Sequence, residues 1–194
     1  MALTEIRSKW NRRYQEWLAE GAAPEPNPVA VRFREEVRGG ILLDAACGLG
    51  PGIAALLERV DQAVGVDLSE EALAAARQRF GADRRILWVQ GDVARMAWPP
   101  GLFAAVCSFG FTDWVFLRQV RRLVRPGGVF FYQGFSLRQR EVKPTLDPDW
   151  TSTPDSIQAL FPRWEVLTCE ESTTPPYRVS FAGRRPDDDS QELA

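Results

Sequence analysis

The fold turns on residues 41–52, ILLDAACGLGPG. An apolar run ends in Asp44, glycines follow at 48, 50 and 52, and Pro51 opens the alternating Ala and Leu of a helical stretch. The order is strand, tight turn, helix. Glycine lets backbone approach a ligand without a Cβ in the way, and a helix N-terminus offers unpaired N–H groups beside it. Pro51 fits the first helical turn, where its missing donor costs nothing. A turn of this kind builds a nucleotide pocket, or it serves only to pack a strand against a helix. The dinucleotide fingerprint G-x-G-x-x-G is not met, because the third glycine falls at Gly52 and position 53 is Ile.

Downstream, hydrophobic strands are expected at 63–66, 86–90, 102–108 and from Val129, and the first two end beside Asp67 and Asp92. Asp67 follows the glycine turn by about 20 residues, the spacing at which a ribose diol donates to a carboxylate. Its other reading is a solvated loop acid. Asp92 either accepts from an adenine amino group, with the Val93 N–H facing the ring, or simply caps a turn. Together Asp44, Asp67 and Asp92 are expected on one rim, where ligands of open parallel sheets collect. Ser69 caps a helix through residue 80, and Asp113 with Trp114 is set to cap and open the next one. That helix ends at RPGG, residues 125–128. WEVLTC and YRVSFAGR read as an antiparallel edge pair.

Upstream, Trp10, Tyr14 and Trp17 recur at helical spacing in residues 1–20, before a proline-rich extended segment and a short helical stretch over 29–37. The aromatic stripe is either a docking face against the sheet or a lid over a ligand.

Composition narrows the chemistry. The chain has 194 residues, which suits one domain with a full core. It contains no His, so imidazole bases, Ser-His-Asp triads and HExxH zinc sites are excluded. Three widely spaced cysteines make neither a disulfide framework nor a metal cluster. The formal charge of -2 offers no overall field for a polyanion. Arg118, Arg121, Arg122 and Arg125 form one helical face, ordinarily a solvated one, with RNA binding the rival reading. Neither a signal peptide nor a run of roughly 18 apolar residues is present, so a cytoplasmic protein without membrane contact is expected.

Aligned from Asp44, the turn reads D-x-A-x-G-x-G and resembles the first motif of class I S-adenosylmethionine-dependent methyltransferases, with Ala46 in place of the usual first glycine. VGVDLS, QGDV and RPGG follow in that family's order, and the resemblance spans residues 41–133. Ala104 stands where an acid commonly sits in the fourth strand. WNRRY followed by PNP is similar to the small bacterial group of TehB-like and thiopurine-methyltransferase-like proteins.

The resemblance implies a doubly wound α/β sheet of seven mostly parallel strands with an antiparallel last strand, helices on both faces and an extra N-terminal helix. It implies S-adenosyl-L-methionine as cofactor and direct in-line methyl transfer to a small-molecule substrate. Backbone at Ala46, Gly48 and Gly50 would contact the cofactor, with Asp44 near its amino group and Asp67 and Leu68 at the ribose. Asp92 and Val93 would take the adenine, Ser108 would sit beside the site, and Arg13 and Tyr14 would lie near the methionine moiety. No catalytic residue is assigned; Asp113, Tyr14 and Tyr132 are the candidate bases. CSFG at 107–110 departs from the N/D-P-P-Y motif of base-amine methyltransferases, and TPPY at 174–177 reads as a turn. Cys107 follows Val106 and not proline, which disfavours cytosine-C5 chemistry. The rivals are an RNA-modifying enzyme and a cofactor-binding module without turnover. One domain is expected over 1–186, with a helical cap at 1–38, a variable substrate-side segment at 134–162 and a frayed acidic tail at 187–194. The residues leave oligomeric state and the methyl acceptor open.

Overall fold

The computed structural model describes residues 3–23 and 25–187; most of the acidic tail, 188–194, lies outside the described residues. The N-terminal helix α1 covers Leu3–Ala19 and stops before Gly21, which takes φ 81°. Asn27 caps α2, Pro28–Arg32, by accepting from the Val29 N–H at 3.0 Å.

The quoted motif folds as read. β1 is Ile41–Ala45 and α3 is Pro51–Leu56. They are followed by β2 (Gln62–Asp67), α4 (Glu70–Phe80, capped by Ser69) and β3 (Ile86–Gln90). β4 covers Phe103–Phe109, α5 Trp114–Leu123 and β5 Val124–Ser136. The stretch after β5 holds α6 (Gln139–Val142), a two-residue strand β6 (Thr151–Ser152) and α7 (Pro154–Gln158). The chain then forms β7 (Glu165–Glu171) and β8 (Arg178–Arg184).

The sheet order is β3-β2-β1-β4-β5-β8-β7, with β6 added on β5. β1 to β5 run parallel, while β8 lies antiparallel to both β5 and β7. The short β6 makes eight strands in place of the expected seven. Two-residue alternation sends Leu43, Val106 and Phe130 to one core and Leu42, Cys107 and Phe131 to the other, so both faces are covered. The chain winds outward from β1 through β2 to β3, then returns to β4 on the other side of β1. The crevice between the carboxyl ends of β1 and β4 is therefore the switch point where such sheets hold ligands.

The RPGG segment departs from expectation. Strand pairing begins at Val124, opposite Phe103, and Gly127 at φ 70° sits in a bulge within β5. Arg185, 5% exposed, donates through Nη1 to the carbonyls of Arg121 and Val124, at 2.9 and 2.6 Å. That buried guanidinium satisfies the carbonyls at the end of α5, so no glycine cap is needed to stop it.

Candidate functional site

The glycine turn is held from below by two carboxylates. Asp67, at the end of β2, accepts from the Gly48 N–H through Oδ2 and from the Ser69 N–H through Oδ1, both at 2.8 Å. It thereby ties the turn to the cap of α4. Asp44 accepts from the Gly52 and Ile53 N–H groups through Oδ2 at 3.0 Å, which anchors the first turn of α3. A Cβ at Gly52 would strike the Asp44 carboxylate at 2.8 Å, so that position requires glycine. Oδ1 of Asp44 is buried without a hydrogen-bond partner, and burial pushes the carboxyl up to about 7. Ala46 takes φ 50°, a left-handed conformation that costs an L side chain about 1 to 2 kcal/mol. This is the physical reason glycine is usual there.

Above the turn, at the switch point, lies a cavity of about 210 Å³. Its floor is Ala46, Asp67 and Leu68, one side is Gly91, Asp92 and Val93, and another is Phe109, Gly110 and Phe111. α1 closes it with Trp10, Tyr14 and Trp17. Tyr14 and Trp17 meet edge to face with centroids 5.3 Å apart. The Tyr14 hydroxyl packs directly on Gly48, where any Cβ would collide with it. Burial, followed by the nearby Asp67 charge, pushes the Tyr14 phenol well above its ordinary range.

Of the residues named from sequence, Tyr14, Ala46, Asp67, Leu68, Asp92 and Val93 line this cavity, and Gly48 lies under Tyr14. Asp44, Gly50, Ser108 and Arg13 do not. Asp44 is behind the turn for the reason given. Gly50, at φ 80°, is the N-cap of α3 and leaves room for Phe80 and Trp88. Ser108 is fully buried, and its hydroxyl donates to the Phe111 carbonyl at 2.8 Å. Arg13 is exposed, its guanidinium 4.8 Å from the Trp17 ring. Asp92 combines its two readings: it lines the cavity while capping the turn over Val93–Arg95, and it pairs with Arg95 at 3.2 Å.

Of the three candidate bases, Tyr14 lines the cavity with its hydroxyl on Gly48, and the other two are engaged elsewhere. Asp113 accepts from the Phe116 N–H at 2.8 Å as the cap of α5. Tyr132 is fully buried between Thr112 and Ser152, at 2.8 and 2.9 Å. No residue of 134–162 lines the cavity; that segment meets α1 through Lys9, whose Nζ is 4.7 Å from the Trp150 ring. Gly91 entered the sequence reading only within the QGDV motif, with no role assigned to it. The wall role of Trp10 and Trp17 was visible only as a stripe with two meanings.

A doubly wound sheet whose switch-point cavity joins a glycine turn to a carboxylate at the end of β2 defines a nucleotide-binding α/β protein. Residues 42–128 match the family described as Methyltransferase domain. The chain is 34% identical over 140 residues to a 2-phytyl-1,4-naphtoquinone methyltransferase of Thermosynechococcus vestitus, covering 65% of this chain and 62% of that protein. It is 34% identical over 127 residues to a demethylmenaquinone methyltransferase of Clavibacter sepedonicus, covering 57% and 52%. The chain thus spans less than two thirds of the length of these curated relatives. Among solved structures, the magnesium protoporphyrin IX methyltransferase of Synechocystis superposes with a TM-score of 0.69 at 14% identity, over 94% of this chain and 99% of that one. Residues 42–128 thus carry the methyltransferase-domain match, and the chain shares the fold of the solved methyltransferase. Among the described residues, no helix is long and apolar enough to cross a membrane.

Proposed function

We propose that this protein is an enzyme that transfers a methyl group from S-adenosyl-L-methionine to a small-molecule acceptor in a reducing cytoplasm, with residues 1–186 acting as one functional unit. The observation that carries this reading is the single cavity bringing Asp67 and Leu68 from β2, Asp92 and Val93 from after β3, and Ala46 of the glycine turn against the aromatic face of α1. These residues suit an adenosyl sulfonium. Asp67 accepts from the ribose diol, Leu68 covers the sugar, and Asp92 with the Val93 N–H takes the adenine edge. Trp10, Tyr14 and Trp17 offer ring faces to a cation, favourable by about 0.5 to 2 kcal/mol. The unpartnered Oδ1 of Asp44 leaves negative potential beneath the turn, complementary to an ammonium above it. The bound cofactor supplies a methyl group activated by its positive sulfur. The protein's part is to hold nucleophile and methyl in line at about 3 to 3.5 Å in a water-poor pocket.

A small acceptor is supported by the relatives, whose names specify quinones, and by the state of the arginine face. Arg118 and Arg122 donate to the carbonyls of Trp114 and Trp98, and Arg125 donates to that of Arg38.

Titration calorimetry with S-adenosylmethionine and with NAD, followed by transfer of a labelled methyl group, tests the reading. Binding of S-adenosylmethionine alone is expected, and Asp67→Asn weakens it by about 1.5 to 3 kcal/mol. A preference for NAD overturns the cofactor assignment. Binding without transfer to any acceptor makes the protein a cofactor-sensing module instead.

A further inference from the structure

Away from Ala46, Asp67, Leu68, Gly91, Asp92 and Val93, the cavity wall is Trp10, Tyr14, Trp17, Phe109, Gly110 and Phe111, the rings of α1 being shared between the sulfonium and the acceptor. It consists of aromatic rings and one glycine. The polar side chains immediately behind it are committed to the protein. Ser108 holds the Phe111 carbonyl, Thr112 and Tyr132 bond each other, and Asp113 caps α5. The nearest thiols, Cys47 and Cys107, are buried, and burial pushes both up and away from reactivity. Among the described residues, no Lys or Cys lines the cavity, and the chain has no His. The lining acids, Asp67 and Asp92, belong to the cofactor's side. An aliphatic hydroxyl or an ammonium must lose a proton before or during methylation, and the one ionisable group on this wall, the Tyr14 hydroxyl, is packed on Gly48 and kept protonated by burial.

Resting on the methyltransferase reading, we propose that the acceptor is a flat conjugated molecule whose methylated atom is already unprotonated near neutral pH, sandwiched by the rings of α1 and the Phe109–Phe111 loop. Recognition is by ring stacking, which orients a planar acceptor without side-chain hydrogen bonds. In the transfer, a lone pair of the acceptor forms the new bond to the methyl carbon. The electron pair of the broken carbon–sulfur bond stays on sulfur, and no proton passes to the protein. Flatness and prior ionisation are therefore both selected, the first by the walls and the second by what they lack.

Four probes separate these requirements: thiophenol and 4-nitrophenol are flat and ionise near neutrality, cyclohexanethiol is neither flat nor ionised, and benzyl alcohol is flat but needs a base. With labelled S-adenosylmethionine and the full chain, thiophenol and 4-nitrophenol are expected to be methylated. Their kcat/KM should exceed that of cyclohexanethiol by at least the roughly two- to twelvefold of one ring contact, with no transfer to benzyl alcohol. The pH profile of kcat/KM should move with the ionisation of each acceptor. Phe111→Leu keeps the apolar bulk and removes the flat face, so it should raise the acceptor KM while leaving the cofactor Kd within about twofold. Methylation of benzyl alcohol, one protein-borne pH midpoint shared by all acceptors, or bound cofactor with no transfer to either flat probe would overturn the acceptor class. Failure to bind S-adenosylmethionine would sink the underlying reading instead.

Discussion

Asp44 is a carboxyl that gives one oxygen to two backbone N–H groups and leaves the other buried with none, at 1% exposure. Burial raises it from 3.8 to about 7, against two lowering backbone bonds. Folding therefore binds its proton more tightly than the unfolded chain does. Below about pH 4 both states are protonated and the group is neutral to stability; as pH rises toward 7 a penalty accumulates, complete above it, of up to about 4 kcal/mol. Asp67 is raised by burial in the same sense. Asp44→Asn removes the ionisation but keeps an acceptor for the helix. The variant should gain stability relative to the native chain between about pH 5 and about pH 8, read from urea midpoints at each pH. A difference between the two proteins that stays constant with pH would show that Asp44 ionises normally. The sequence made this residue legible as a strand-end acid beside a glycine turn. It did not make legible which side of the turn the carboxylate faces, because that depends on the space Gly52 leaves for it. The same limit applies to Ser108, whose rank in β4 was readable but whose hydroxyl is spent on a carbonyl three residues on.

At the scale of one element, α1 is the weakly held wall of the site. None of its residues is fully buried, though Tyr14 is largely covered where it packs on Gly48, and it is tied to α4 by Asn11 on Glu70 at 2.9 Å and Gln15 on Glu71 at 2.8 Å, both exposed. Exposed side-chain bonds of this kind add little, about 1 kcal/mol each at most. The cavity beneath it, about 210 Å³, is smaller than the roughly 300 Å³ at which ligand sites begin, and Tyr14 rests on the turn that would receive the cofactor. If α1 moves outward as the site fills and closes again on the ligand, its amides should report it. Hydrogen exchange should show α1 amides opening far more readily than those of β1 and β4, and slowing when S-adenosylmethionine is added. Gln15→Ala should speed the exchange of α1 up to about fivefold and leave β1 unchanged. Protection of α1 equal to that of β1 in the free protein would refute the opening. The stripe of Trp10, Tyr14 and Trp17 was readable at helical spacing, yet docking face and lid were equally consistent with it. The rings that pack on the turn also wall the cavity, and the exchange experiment tests whether the helix acts as a lid.

For the molecule as a whole, the alternation of Leu42 with Leu43 and of Phe130 with Phe131 made a sheet buried on both faces readable, and the acids after β2 and β3 made its ligand rim readable. The segment from 137 to 152 was not, since its prolines and charges carry no period, and β6 is ordered by its pairing with β5. Nor does local sequence say that β8, the last strand, lies between β5 and β7. A hairpin pattern fixes the pairing of β7 with β8 but leaves open which of them joins the sheet. What decides it is burial. Phe181 of β8 is fully buried, stacked on Phe161 at 5.3 Å and 6.2 Å from Phe130, whereas Val166 of β7 remains 37% exposed. If inserting β8 completes the core, its central ring carries global stability and the edge strand does not. Phe181→Ala should then cost about 3 to 5 kcal/mol, against less than about 1 for Val166→Ala. In a chain of 194 residues the first loss corresponds to a fall in Tm of roughly 6 to 20 °C, measured by calorimetry. Equal, small shifts for the two variants would mean that β8 is not the strand that closes the sheet. The doubly wound core would then have to end at β5.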